Sequence, residues 1–93
     1  MGRAALKADF GDEIEARIRQ VLQDHGRLGT DVEALGSADD LYSAGLTSHA
    51  NVNVMLALES GFDIEFPDEM LKRGTFDSIA SIRKAIDSLL PAA

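Results

Sequence analysis

The residues best placed to do chemistry lie between Asp40 and His49, where a turn marked by Gly45 leads into an apolar segment that starts at Ser48. The unpaired N–H groups and the positive dipole end at the start of a helix favour negatively charged groups. A phosphate ester on the Ser48 hydroxyl would therefore be well placed, provided that Thr47 caps the helix. The alternative is that Ser48 is simply the N-cap, and taken alone the pattern favours that interpretation because serine is common there.

Other combinations of reactive side chains give weaker evidence for a functional site. His25 and His49 are the only histidines and cysteine is absent, which leaves too few ligands for a zinc site. Ser48 and His49 are neighbours on a helix and do not face each other, which argues against a Ser–His nucleophile. Four acidic residues lack the glycine and glutamate spacing of a calcium loop and indicate a solvated surface: Asp63, Glu65, Asp68 and Glu69. We therefore predict no catalytic residue and no metal ligand.

The charge balance excludes several classes of partner. The 93 residues include 9 Lys and Arg against 16 Asp and Glu, for a formal net charge of −7. Proteins that bind nucleic acids or anionic membranes need basic surfaces. No apolar run approaches the roughly 18–20 residues of a membrane span, and none near the N-terminus has signal-peptide length. We expect no nucleic-acid or membrane partner, a cytoplasmic location, and a single domain over residues 1–93 with an ordered core at about 9–90.

The hydrophobic periodicity along the chain is helical. The pattern predicts a first helix from about Asp9 to His25, with Gly26 as its C-cap. It predicts a second helix over Ser48–Ser60, which Gly61 can end. The apolar face of the first helix comprises Ile14, Ile18, Val21 and Leu22.

In the second half of the chain, the residue pattern predicts one short and one longer helix. Residues 67–72 begin with a proline, which suits a first helical turn, and Gly74 breaks this short helix. Thr75 or Asp77 can cap a last helix that Pro91 stops. Its apolar stripe comprises Ile79, Ile82, Ile86, Leu89 and Leu90. The fold class is thus all-α, a small four-helix bundle with three longer helices and one short helix.

Between the helices, two segments are predicted to be ordered without being helical. The segment Arg27–Thr47 is a long loop between the first and second helices, held to the core by apolar side chains. Those side chains are Leu28, Val32, Leu35, Leu41, Tyr42 and Leu46. Phe62–Phe66 alternates apolar and polar residues as a strand does, but no second strand is available to pair with it. We therefore expect an extended connector there.

Several of these pieces together resemble the carrier protein family, which comprises acyl carrier proteins and peptidyl carrier domains. The matching residues are Asp40-Leu41, Gly45 and Ser48, followed by Met55–Glu59 and Phe62–Asp68. The resemblance covers roughly Ile14 to Leu90 and implies a carrier-protein-like bundle. It also implies that Ser48 is the attachment site of a covalent 4′-phosphopantetheine cofactor, which a phosphopantetheinyl transferase adds.

Departures from the family pattern point to a subgroup. Thr47 stands where an aspartate usually precedes the serine, and His49 stands where an apolar residue usually follows it. Ala50 and Asn53 replace acidic residues that fatty-acid enzymes recognise. The run DLYSAGLTSHANVNVMLALESGFDIEFPDEMLKR, preceded by HGRLGTDV, resembles the small bacterial aminoacyl carrier proteins.

That resemblance implies that the chain is not an enzyme and holds an amino acid, typically glycine or alanine, as a thioester on the arm. It implies two more partners besides the transferase: a ligase related to class II seryl-tRNA synthetases, and an acceptor enzyme of unknown identity. We expect the carrier to be monomeric. The first alternative is an acyl carrier protein for a fatty-acid or polyketide pathway, and the second is an unmodified helical adaptor.

Partner contact is expected on the exposed side of the second helix, through Thr47, His49, Val52, Asn53 and Leu56. For two of these, Val52 and Leu56, core packing is the open alternative, because the helix has more apolar residues than one face needs.

Two neighbouring features are expected to have structural roles. Leu46 is expected to anchor the loop. The pair Lys72-Arg73 is expected to complement the dipole at the end of the short helix, with a partner-binding patch as the alternative.

Overall fold

The computed structural model describes residues 13–90. The predicted helix start near Asp9 and the predicted stop at Pro91 lie outside this range. The first helix, α1, is described over residues 13–21 and continues into one π-helical turn, Leu22–Gly26. The second helix, α2, is Ser48–Phe62, and the third, α3, is Ile79–Leu89. Residues 13–90 contain no strand, and none of their helices is long and apolar enough to cross a membrane.

The predicted all-α fold class is confirmed, and the predicted short helix takes the form of 3₁₀ turns. Asp68–Met70 and Arg73–Thr75 each close with i→i+3 hydrogen bonds, such as Met70 N–H to Pro67 O at 2.9 Å. So few residues cannot stabilise an α-helix, and 3₁₀ geometry is common in short pieces. A further 3₁₀ turn, Val32–Ala34, lies in the long loop.

Two predicted helix ends are wrong in detail. Arg27, with φ 53°, ends the first helix instead of Gly26, because the π turn includes the glycine. Gly61 lies inside α2, which instead ends at Asp63, with φ 55°. The N–H of Asp63 donates to Glu59 O, which satisfies one of the last helical carbonyls.

The cap of α3 also differs from the prediction. Ser78 is the N-cap, and its hydroxyl oxygen accepts from Ser81 N–H at 3.1 Å. Thr75 belongs to the preceding 3₁₀ turn, and α3 begins only at Ile79, so Ser78 rather than Asp77 is the residue directly before the helix.

One hydrophobic core joins the three helices and both non-helical segments. The predicted loop anchors are confirmed: Val32, Leu41 and Leu46 are buried, and Leu28, Leu35 and Tyr42 pack against the core. The predicted connector Phe62–Phe66 is wrong at its start, because Phe62 is the last residue of α2 and Asp63 is its left-handed cap, whereas residues 64–67 form no regular element. The remaining buried apolar residues are Ile18, Leu22, Ala50, Val54, Leu58, Phe66, Phe76, Ile79, Ile82, Ala85 and Ile86.

Backbone contacts fix the long loop against its surroundings. Gly29 N–H donates to Ala44 O at 3.1 Å, and Ala80 N–H donates to Ser37 O at 2.8 Å. Gly45 has φ +118°, and a Cβ there would lie 3.0 Å from the backbone nitrogen of Gly29. A side chain at position 45 would therefore force the two ends of the loop apart.

Truncating Leu58 tests the core. Leu58 is fully buried on α2, so Leu58→Ala should lower the free energy of unfolding by about 2–5 kcal/mol. The matched control is Leu56→Ala on the same helix, where the side chain is 53% exposed and the cost should stay below about 0.5 kcal/mol. Urea unfolding followed by circular dichroism measures both. Equal losses would contradict the assigned faces of α2.

Candidate functional site

Ser48 is the first residue of α2, and its side chain is exposed. The N-cap is Thr47, whose backbone is extended (φ −91°, ψ 163°) and whose hydroxyl oxygen accepts from Ala50 N–H at 3.0 Å. The interpretation of Ser48 as the N-cap is therefore wrong. The cap hydrogen bond belongs to its neighbour, and the Ser48 hydroxyl lies at an exposed helix start.

The turn before α2 sets the position of Ser48. Asp40 accepts two hydrogen bonds through its carboxylate, from Tyr42 N–H at 3.0 Å and from the Ser43 hydroxyl at 2.9 Å. The hydrogen bond from Ser43 lowers the pKa of the exposed Asp40 carboxyl below its usual value, so this turn keeps its acceptor at neutral pH. Leu46 is buried just before the cap, as predicted for a loop anchor. The chain therefore enters α2 from a fixed direction.

A groove of about 340 Å³ lies beside Ser48, between α2 and residues 71–76. Its apolar lining comes from Val52, Met55, Leu71 and Phe76. Its polar lining comes from Tyr42, Ser48, Asn51, Lys72 and Arg73. Two hydroxyls, an amide, two cations and an apolar wall thus line one open cavity.

Arg73 joins the far wall of this groove to the loop before α2. Its guanidinium carbon lies 3.8 Å from the centroid of the Tyr42 ring, a cation–π arrangement, and the Tyr42 hydroxyl donates to Arg73 O at 3.3 Å. Burial raises the pKa of the Tyr42 phenol, which keeps the hydroxyl protonated as a donor. Lys72 and Arg73 follow no α-helix, so the helix-dipole explanation of this pair is wrong.

Asn51 is a feature of the groove that the sequence did not reveal. Its side chain lines the groove, and its Oδ1 atom is buried with no hydrogen-bond donor within residues 13–90. A buried acceptor without a partner costs about 1–3 kcal/mol. No sequence signal could have found it, because the neighbours that bury an atom are set by the fold.

All five predicted contact residues are exposed. Val52 and Leu56 are 50% and 53% exposed, so core packing is wrong as the explanation of their apolar character. The core face of α2 is instead formed by Ala50, Val54 and Leu58, spaced at i, i+4 and i+8. Thr47, the N-cap of α2, is exposed, and so are His49 and Asn53 within the helix.

Leu71 adds a third exposed apolar side chain that the sequence did not indicate. It is 46% exposed and lines the groove with Val52. The two residues come from separate elements, and the 3₁₀ turns around Leu71 give its segment no helical periodicity to interpret. Together Val52, Leu56 and Leu71 form the exposed apolar surface of this region.

Other predicted features lie at the surface. His25 and His49 are exposed, and so are the four acidic residues that suggested a solvated surface. Across the described range, no group of three or more His, Cys, Asp or Glu side chains is arranged to hold a metal ion.

Comparison with known proteins gives two relatives of differing similarity. No family model matches the chain. It is 44% identical over 77 residues to an aminoacyl carrier protein of Agrobacterium fabrum, a match that covers 83% of this chain and 93% of that protein. It is 33% identical over 79 residues to a mitochondrial acyl carrier protein of Neurospora crassa, a match that covers 85% of this chain and 55% of that protein.

A solved structure extends the similarity to three dimensions. It is a crystal structure of an engineered Bradyrhizobium japonicum glycine:carrier protein ligase complexed with a carrier protein from Agrobacterium tumefaciens and ATP. One chain in it matches with a TM-score of 0.79 and 43% sequence identity, over 82% of this chain and 99% of that chain.

Two single substitutions separate the cap from its neighbour. Thr47→Ala removes the hydroxyl that accepts from Ala50 N–H and should lower the free energy of unfolding by about 1 kcal/mol. Ser48→Ala removes no cap and should change it by less than about 0.5 kcal/mol. Urea unfolding curves measure both values. A loss for Ser48→Ala as large as that for Thr47→Ala would show that Ser48 has a structural role.

Proposed function

Because this chain belongs to the aminoacyl carrier protein family, we propose that it carries an amino acid as a thioester on a 4′-phosphopantetheine arm attached to Ser48. One observation supports the choice of Ser48 as the attachment site. Ser48 is exposed at the first position of α2, while Thr47 provides the cap. The Ser48 hydroxyl is therefore free of a structural task and open to a modifying enzyme.

The residues around Ser48 fit the chemistry of such an arm. The arm's phosphodiester would be an anion near the N–H groups at the start of α2, and Lys72 and Arg73 on the opposite wall of the groove would add positive charge around it. When bound, the arm supplies a terminal thiol on which an acyl group is held. The chain itself positions that thiol and presents a surface for recognition, and on this proposal it is not an enzyme.

The cargo we propose is glycine or alanine. A structurally similar chain occurs in a complex with a glycine:carrier protein ligase, which supports glycine as the first amino acid to test. The groove beside Ser48 is open to solvent, so selection of the amino acid would rest on the loading ligase.

Three partners act on such a carrier in turn. A phosphopantetheinyl transferase would move the arm from coenzyme A to Ser48. An ATP-dependent ligase related to class II synthetases would load the amino acid, and an acceptor enzyme would receive it. The cytoplasmic location and the monomeric state expected from the sequence stay predictions.

We place partner contact on the outer face of α2, at Thr47, His49, Val52, Asn53 and Leu56. Half-exposed apolar side chains are costly to leave in water and favourable to bury in an interface. Leu71 extends this surface across the groove.

The second candidate function is an acyl carrier for a fatty-acid or polyketide pathway. The similarity to a mitochondrial acyl carrier protein favours it, at lower identity. Against it stand Ala50, which is only 2% exposed, and Asn53, which is uncharged. Neither position offers a carboxylate to a basic partner surface. An unmodified helical adaptor is the more remote alternative.

Two successive experiments test the proposal: attachment of the arm to Ser48, and then loading of an amino acid onto the arm. Incubation with coenzyme A and a phosphopantetheinyl transferase should increase the intact mass by one arm. Ser48→Ala should abolish the increase, and the control Ser60→Ala, at another exposed serine of α2, should not. Absence of modification in the unmutated chain would exclude a carrier role.

The modified protein then separates the two carrier functions. With ATP, glycine or alanine and a class II synthetase-like ligase, mass spectrometry should detect an aminoacyl thioester. With malonyl-CoA and its transacylase, little acylation is expected. Efficient malonylation without aminoacylation would favour the fatty-acid or polyketide alternative.

A charge placed in the apolar surface tests the docking face. Leu56→Glu should lower the apparent affinity for the loading ligase by about tenfold or more, because an anchor residue of an interface is commonly worth that much. The matched control is Ala16→Glu, which adds the same charge at an exposed position of α1. Kinetics of aminoacylation measure KM for both variants, and circular dichroism checks their folding. Equal KM values would place the interface elsewhere.

A further inference from the structure

A second groove, of about 470 Å³, lies between residues 70–75 and α3. We call it the lysine groove, because Lys72 and Lys84 line it and both are exposed. Its other lining residues are uncharged: Met70, Gly74, Thr75, Ser81, Ala85 and Ser88. The lining of this groove therefore carries two positive charges and no negative charge.

The α3 side of the lysine groove is a regular stripe of polar residues. Ser81, Lys84 and Ser88 are spaced at i, i+3 and i+7, so they share one face of the helix. The acidic residue of α3, Asp87, does not line the groove, and its carboxylate lies 3.8 Å from Arg83 Nε. The two ion pairs within residues 13–90 involve Arg19 and Arg83, so no carboxylate of that range neutralises Lys72 or Lys84.

The lysine groove interrupts an acidic surface. Residues 59–69 contain five acidic residues and no Lys or Arg, and four of these acids are exposed: Asp63, Glu65, Asp68 and Glu69. Residues 70–93 contain four Lys or Arg and only two Asp. The sign of the charge thus reverses between residues 69 and 72, in a chain whose formal net charge is −7. A uniformly basic partner surface would be attracted to the first segment and repelled by the second.

We propose that the lysine groove is a docking site for a carboxylate-bearing segment of the loading ligase. This inference rests on the proposed function. Lysine ammonium groups donate charge-assisted hydrogen bonds to carboxylates, and the groove leaves both ammonium groups unpaired by acids of the described range. Lys72 lines both this groove and the groove beside Ser48, so the lysine groove is continuous with the proposed docking surface at Leu71.

The contact gives orientation and selectivity more than affinity, because exposed ion pairs are individually weak. A ligase that offers basic side chains to residues 59–69 and carboxylates to the lysine groove has its docked orientation fixed by charge. An enzyme with only a basic surface is repelled by Lys72 and Lys84, and such repulsion excludes wrong partners. The lysine groove therefore favours the loading ligase over the fatty-acid enzymes that recognise acidic carriers.

A charge reversal at Lys84 tests this inference, since Lys84 does not line the groove beside Ser48. In the full-length modified protein, Lys84→Glu should raise KM for aminoacylation about 3- to 10-fold and leave kcat unchanged, as expected for a charge at the rim of an interface. The matched control is Arg27→Glu, which makes the same change in charge at an exposed residue that lines neither groove. Circular dichroism checks the folding of both variants.

The salt dependence of KM separates an electrostatic contact from a structural effect. Raising the ionic strength from about 0.05 M to about 0.5 M screens exposed charges. The difference in KM between Lys84→Glu and the unmutated protein should shrink over this range. A difference that persists unchanged would refute the electrostatic contact.

Carbodiimide cross-linking identifies what occupies the groove in the unmutated proteins, so it does not depend on the folding of a variant. The reagent joins a lysine amine directly to a neighbouring carboxylate. In a mixture of the modified carrier and the ligase, mass spectrometry should find Lys72 or Lys84 joined to an Asp or Glu of the ligase. Cross-links from these lysines only to residues 59–69 of a second carrier copy, or no cross-link to the ligase, would overturn the proposal.

The outcomes distinguish this inference from the proposed function. If the unmutated protein gains no arm on Ser48, or the arm accepts no amino acid, the proposed function fails. If loading occurs but Lys84→Glu and Arg27→Glu have equal KM values, the docking role of the lysine groove is refuted and the carrier function stands. A loss of kcat with an unchanged KM would likewise refute that docking role.

Discussion

The start of α2 is the constraint on which the rest of the site depends. Gly45 brings the end of the long loop against Gly29, where a side chain would collide with backbone, and the buried Leu46 ties the next residue to the core. The chain then enters α2 through Thr47, whose hydroxyl takes the cap hydrogen bond. These contacts leave the Ser48 hydroxyl uncommitted, so the proposed modification would not remove the cap hydrogen bond of α2.

The fifteen residues of α2 contribute side chains to three separate surfaces. Ala50, Val54 and Leu58 face the core, while Val52 and Leu56 face outward. Asn51 and Met55, between these stripes, line the groove that residues 71–76 close from the other side. A helix with a single apolar face could anchor Ser48 but could not also present an apolar surface to a partner. This division explains why α2 contains more apolar residues than its packing needs.

The charge distribution suggests that a partner would approach this chain through electrostatic attraction but contact it mainly through uncharged side chains. The chain has a formal net charge of −7, yet residues 48–58 contain no Asp, Glu, Lys or Arg. The acidic remainder can raise the rate of encounter with a basic partner. At Ser48, contact with a partner would depend on shape and on burial of apolar side chains such as Leu56. The pair Lys72-Arg73 brings positive charge to the groove beside Ser48, where an anionic arm would emerge.

The helical fold class, the loop anchors and the place of Ser48 at a helix start follow from the sequence, because periodicity and turn residues act over a few neighbouring positions. The predicted ends of the first two helices are wrong, since the left-handed residues Arg27 and Asp63 terminate them instead of the two nearby glycines. For Val52 and Leu56, tertiary packing settled the choice between core and surface. It alone set Leu71 across the groove from α2 and buried the Asn51 acceptor without a partner. These properties depend on residues distant in the chain, and burial is a sum over such neighbours that no local pattern contains.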